Sequence, residues 1–61
     1  MYREEAVEIM CQTVNNFNRH QAEENGMDKE TIEQFIEQSA DQMKFVNGLL
    51  YDALKAHGVI V

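Results

Sequence analysis

The sequence of 61 residues has no proline and no tryptophan, and glycine occurs only three times. Proline and glycine disfavour a helix interior by roughly 3 and 1 kcal/mol relative to alanine. Their scarcity, among many Glu, Gln, Ala, Leu and Met, predicts a helical chain. A single cysteine, Cys11, excludes an intrachain disulfide framework and fits a reducing, cytoplasmic setting. Five Lys and Arg stand against eleven Asp and Glu, for a formal net charge of -6. Binding by phosphate neutralisation needs a basic surface, so a nucleic-acid partner is not expected. No apolar run approaches membrane-span length, and the start MYREEAVEIM has acids where a secretion signal needs bases. Neither a membrane nor a secretory route is expected. The length leaves room for one domain, residues 1–61, and excludes a Rossmann or barrel enzyme fold.

What is present is enough to build a core. Hydrophobic residues make up 44%, too many for a disordered acidic tail. Before Gly26, Val7, Met10, Val14 and Phe17 recur at spacings of three, four and three. That is the apolar stripe of an amphipathic helix, over about residues 3–24. Glu4 and Glu5 fall in its first turn, where the helix dipole favours acids. Gly26 suits the left-handed position that ends a helix, and Asp28 suits the N-cap of the next. Met27 and Ile32 then stand in the hydrophobic-staple relation. A turn at 25–28 is short enough to make the two helices antiparallel neighbours.

The second helix is expected over about residues 29–57. Ile32, Ile36, Ser39, Met43, Val46, Leu50, Ala53 and His57 alternate spacings of four and three, the heptad seam of a bundle. Phe35, Ala40, Leu49 and Leu54 widen the stripe. Gly58 ends the helix, with Val59 placed to meet Leu54, and leaves a short tail at 58–61. Asn47-Gly48 is a hairpin-turn signal in isolation, so a kink there competes with a continuous helix. The unbroken heptad phase and the helical composition of LLYDALKAH favour continuity. Gly48 then falls on the polar face, costing about 1 kcal/mol of propensity without opening a hole in the core.

Two helices cover each other on one side only. Ordering costs roughly 1.5 kcal/mol per residue, and no disulfide offsets it here. The apolar residues Phe45, Leu49, Leu50, Tyr51 and Leu54 spread over more than half of helix two. The fold class expected is therefore an all-α antiparallel helical hairpin that dimerises into a four-helix bundle. Its seam is expected at Ile32, Ile36, Met43, Val46, Leu50 and Leu54. Helix two, the longer, projects past helix one around Phe45, Leu49 and the tail.

Candidate chemistry is sparse. Cys11 and His20 are the only nucleophile and base to pair, and on one helix they point in opposite directions. Di-iron bundles need an inward Glu-x-x-His, but Phe17 and Leu54 occupy the positions three before His20 and His57. His20 with Glu23 and Glu24 makes at most a weak surface site. His57 suits a helix C-terminus, and the Ser39 hydroxyl suits a bond back to the Phe35 carbonyl. No catalytic residue, cofactor or metal is assigned, and the chain is not expected to be an enzyme. What remains is a carboxylate row at Glu30, Glu33, Glu37 and Asp41, interrupted only by Lys44, with Phe45 beside it. Such a row either keeps a surface solvated or docks on a basic one.

The layout resembles small helical-hairpin regulators, including the plasmid RNA-binding Rop proteins, which dimerise into bundles. That resemblance implies the bundle and an RNA partner. Glu4, Glu5 and Glu8 in the first helix run against the RNA partner. Sporulation phosphatases of the Spo-zero-E type are also short hairpins, with Ser-Gln-x-Leu-Asp on the second helix. Here Gln38-Ser39-Ala40-Asp41-Gln42 stands there instead, and that activity is not carried over. The expectation is a small protein–protein interaction module that occupies a partner's basic surface. A regulator, or an inhibitor encoded by a phage or mobile element, would work this way. The alternative is a structural homo-oligomerisation module with no separate ligand.

Overall fold

The computed structural model describes residues 2–60, so Val61 of the expected tail lies outside the described residues. Two helices, α1 over Arg3–Glu24 and α2 over Lys29–Ala56, pack side by side as an all-α helical hairpin. Among the described residues there is no strand, and no helix is long and apolar enough to cross a membrane.

Local chemistry explains where the helices stop. At the end of α1, the Met27 N–H donates to the Ala22 carbonyl at 3.0 Å and the Gly26 N–H to the Glu23 carbonyl at 3.1 Å. This is a Schellman motif, and it needs the positive φ of 82° that Gly26 adopts. One residue on from Met27, Asp28 Oδ1 accepts the Thr31 N–H at 2.7 Å and caps α2. Hydrogen bonding from Thr31 to the charged form holds the Asp28 carboxyl below its ordinary value. The same C-terminal device recurs in α2, where Val59 N–H reaches the Leu54 carbonyl at 2.9 Å and Gly58 N–H the Lys55 carbonyl at 3.1 Å. His57 is the cap residue, so α2 ends one residue before the expected 57.

Helix α2 runs unbroken through Asn47-Gly48. The expected placement of Gly48 on the polar face is corrected: Gly48 and Asn47 are both buried. A Cβ built on Gly48 would stand 2.7 Å from Arg3 Nη2, so the missing side chain leaves room for the Arg3 guanidinium.

The reason lies in the drift of the seam. Ile32 is buried and Ile36, Ser39 and Met43 are half-buried, as the heptad spacing implies for the first half of α2. Beyond Met43 the covered residues of α2 are Asn47, Gly48, Tyr51 and Leu54. Val46 and Leu50, expected in the seam, are 53% and 48% exposed in the single chain. A straight α-helix drifts about 20° per heptad from a strict seven-residue repeat. Two successive steps of four, Met43 to Asn47 to Tyr51, keep α2 facing α1 and rotate Val46 and Leu50 outward.

The hydrophobic core of the hairpin is small. Val7, Ile32 and Tyr51 are its buried apolar residues, none more than 4% exposed. Ion pairs join the helices at both ends, Arg3 Nε to Asp52 Oδ1 at 2.9 Å and Arg19 Nε to Glu33 Oε1 at 2.8 Å. The result is a rod measuring 41 × 19 × 16 Å.

Candidate interaction surfaces

A groove runs along each flank of the α1–α2 contact, and Met43 reaches both. One groove, of about 390 Å³, is lined by Val14 and Asn18 of α1 and by Phe35, Ser39, Gln42 and Val46 of α2. None of its lining residues is charged. Leu50 lies one helical turn beyond Val46 and extends the same strip. The opposite groove, of about 550 Å³, carries Glu4, Glu8, Cys11, Asn15, Ala40 and Lys44. The hairpin therefore has one uncharged apolar flank and one charged flank.

Apolar exposure continues beyond the first groove. Phe17, Phe35, Phe45, Leu49 and Val59 are all more than half exposed. Phe45, expected beside the carboxylate row, is on the surface and lines neither groove.

The carboxylate row is present but divided. Glu30, Glu33, Glu37 and Asp41 are all exposed on α2. Glu33 accepts from Arg19 Nε at 2.8 Å and from Arg19 Nη2 at 3.2 Å, a bidentate pair that holds its carboxyl below the ordinary value. Arg19 also donates from Nη1 to Asn16 Oδ1 at 3.1 Å. Glu30, Glu37 and Asp41 form no ion pair among the described residues. Arg19 is the residue that reading along α2 alone misses. Its signal is the short turn, which brings the polar edge of α1 level with Glu33.

The same pattern holds at the far end, where Arg3 Nε and Nη2 donate to Asp52 at 2.9 and 3.2 Å. The bonds lower the Asp52 carboxyl and raise the Arg3 guanidinium from their ordinary values. His20 Nε2 lies 3.1 Å from Glu24 Oε1, one turn along α1. Three of the eleven carboxylates, Asp52, Glu33 and Glu24, thus meet a base, which leaves eight without one among the described residues.

Reactive side chains are not assembled. Half-buried Cys11 accepts a 3.3 Å bond from Asn47 Nδ2, while His20 is exposed beside Glu24. Ser39 Oγ donates to the Phe35 carbonyl at 2.9 Å and to the Ile36 carbonyl at 3.3 Å, which occupies its proton inside its own helix. Asn15 Oδ1 is buried without a hydrogen-bond partner among the described residues. No set of three or more His, Cys, Asp or Glu side chains gathers as a metal-ligand group among them. The chain matches no protein family, no curated protein and no solved structure.

Proposed function

We propose that this chain is a small protein–protein interaction module. It works as a self-assembled helical bundle and offers Glu30, Glu37 and Asp41 to a basic partner surface. The observation that carries the reading is the imbalance of apolar burial. Three hydrophobic residues are buried among the described residues, while Val46, Leu49, Leu50, Phe17, Phe35 and Phe45 stand exposed. Each Å² of apolar surface left in water forgoes roughly 25 cal/mol, so an exposed strip of this kind favours association. Association through it leaves the carboxylates outside, where a chain of net charge -6 attracts basic surfaces over a Debye length. A regulator or inhibitor acting in the cytoplasm by occupying a partner would need no more machinery than this. The reading assigns the chain no chemical step, cofactor or metal.

A second reading is favoured by the Arg19–Glu33 pair. It takes one carboxylate out of the row and strengthens the case for a module that only holds copies of itself together.

The experiment is capture from native extract with the wild-type chain and with Glu37→Gln/Asp41→Asn, in parallel at low and high salt. The expected result is a basic protein held by the wild type, released by salt and held poorly by the double variant. Equal retention on both baits, unaffected by salt, would show the row to be a solvated surface and leave the homo-oligomerisation reading standing.

A further inference from the structure

We infer that the uncharged groove lined by Val14, Phe35, Gln42 and Val46 is the contact face between two copies of this chain, related by a twofold axis near Gln42. The inference rests on the self-assembly reading and names the face that performs it.

Area points to a second copy. The chain exposes 4997 Å². A compact monomer of 7.1 kDa is expected to expose about 4,100 Å². The excess of roughly 900 Å² is close to the ~800 Å² that each partner contributes to a stable interface. The shape agrees, because a second rod laid along a body of 41 × 19 × 16 Å thickens it without lengthening it.

Charge selects the face. Two copies each carrying -6 repel wherever their carboxylates approach. The charged groove carries Glu4, Glu8 and Lys44, so closing it would take charges out of water. The opposite groove has no ionisable side chain among its lining residues, so closing it costs no buried charge. Its apolar members include Val46, which the seam drift turns away from α1 at 53% exposure, and Phe35, 60% exposed on the flank of the seam. The heptad residues Val46 and Leu50 thus serve a contact between copies, while Asn47 and Tyr51 take their place inside the hairpin.

Four polar residues line the groove, Asn18, Ser39, Gln42 and Asn47, and Asn47 Nδ2 already donates to Cys11 Sγ within the hairpin. Ser39 is already satisfied within α2. Gln42 stands between Phe35 toward the turn and Val46 toward the open end of the hairpin. A twofold axis there lays the Phe35 end of one copy on the Val46–Leu50 end of the other. It also sets the two Gln42 amides side by side, each with a donor and an acceptor for the other. A polar pair at such a position fixes register in a helical bundle.

The test uses the full chain carrying Cys11→Ser, so that one introduced thiol is the only one present. Gln42→Cys reports on the groove, and Glu37→Cys reports on the opposite surface of α2. Sedimentation equilibrium of both reduced proteins at micromolar concentration is followed by oxidation with copper phenanthroline. The expected result is a mass of twice 7.1 kDa for both and a covalent dimer formed rapidly at Gln42→Cys and slowly at Glu37→Cys. If the mass doubles but Gln42→Cys cross-links no faster than Glu37→Cys, the face is wrong and self-assembly stands. A mass of 7.1 kDa would overturn the self-assembly reading, and this inference with it.

Discussion

Gly48 shows how one absent side chain ties two helices together. In an exposed helix, replacing glycine by alanine gains about 1 kcal/mol. Here the new Cβ would meet Arg3 Nη2 at 2.7 Å, so the guanidinium must leave a position from which it pairs with Asp52. Gly48→Ala is therefore expected to raise the melting temperature less in the wild type than in an Arg3→Ala background. The four thermal melts of that double-mutant cycle check it. Equal increments in the two backgrounds would show that Arg3 and Gly48 are not coupled. The residues whose roles were legible in the sequence are those that act within one turn. Asp28 as N-cap, Gly26 and Gly58 as left-handed terminators and the Ser39 bond to Phe35 all follow from short spacing along one chain. The roles of Gly48 and Arg19 were not legible, because both depend on which residue of the other helix arrives opposite.

At the scale of the element, a heptad pattern states which residues are apolar on one side but not which neighbour each will meet. Ile32, Ile36, Ser39 and Met43 turn toward α1, whereas Val46 and Leu50 of the same pattern turn away. The drift between a 3.6-residue turn and a 3.5-residue repeat, summed over two to three heptads, accounts for the change. Helix existence, the two ends and continuity through Asn47-Gly48 were readable from composition and caps. The rotational phase was not, since it follows from packing against α1. A pair of substitutions separates the two exposed apolar surfaces of α2. Val46→Asp places an unpartnered charge in the uncharged groove, and Phe45→Asp places one outside both grooves. Sedimentation equilibrium is expected to return 7.1 kDa for Val46→Asp and the associated mass for Phe45→Asp. The reverse pattern would move the contact to the back of α2.

As a whole molecule the hairpin is long for its size. A compact chain of 61 residues has a radius of gyration of about 10.5 Å, and this rod has 13.5 Å. Long axes suit bundles, in which neighbouring rods supply the missing cover. With Val7, Ile32 and Tyr51 the only buried hydrophobic residues among those described, the hairpin has little apolar burial to set against the entropy of its ordered residues. Under the proposed self-assembly, folding and association are linked, and the folded population is expected to rise with protein concentration by mass action. The most direct measurement is the thermal melt of the wild-type chain, followed by far-ultraviolet circular dichroism across a wide range of concentration. The account predicts that helicity is lost on dilution and that the melting temperature climbs steadily as concentration increases. Full helicity at the lowest concentration, with a melting temperature that does not move, would contradict it.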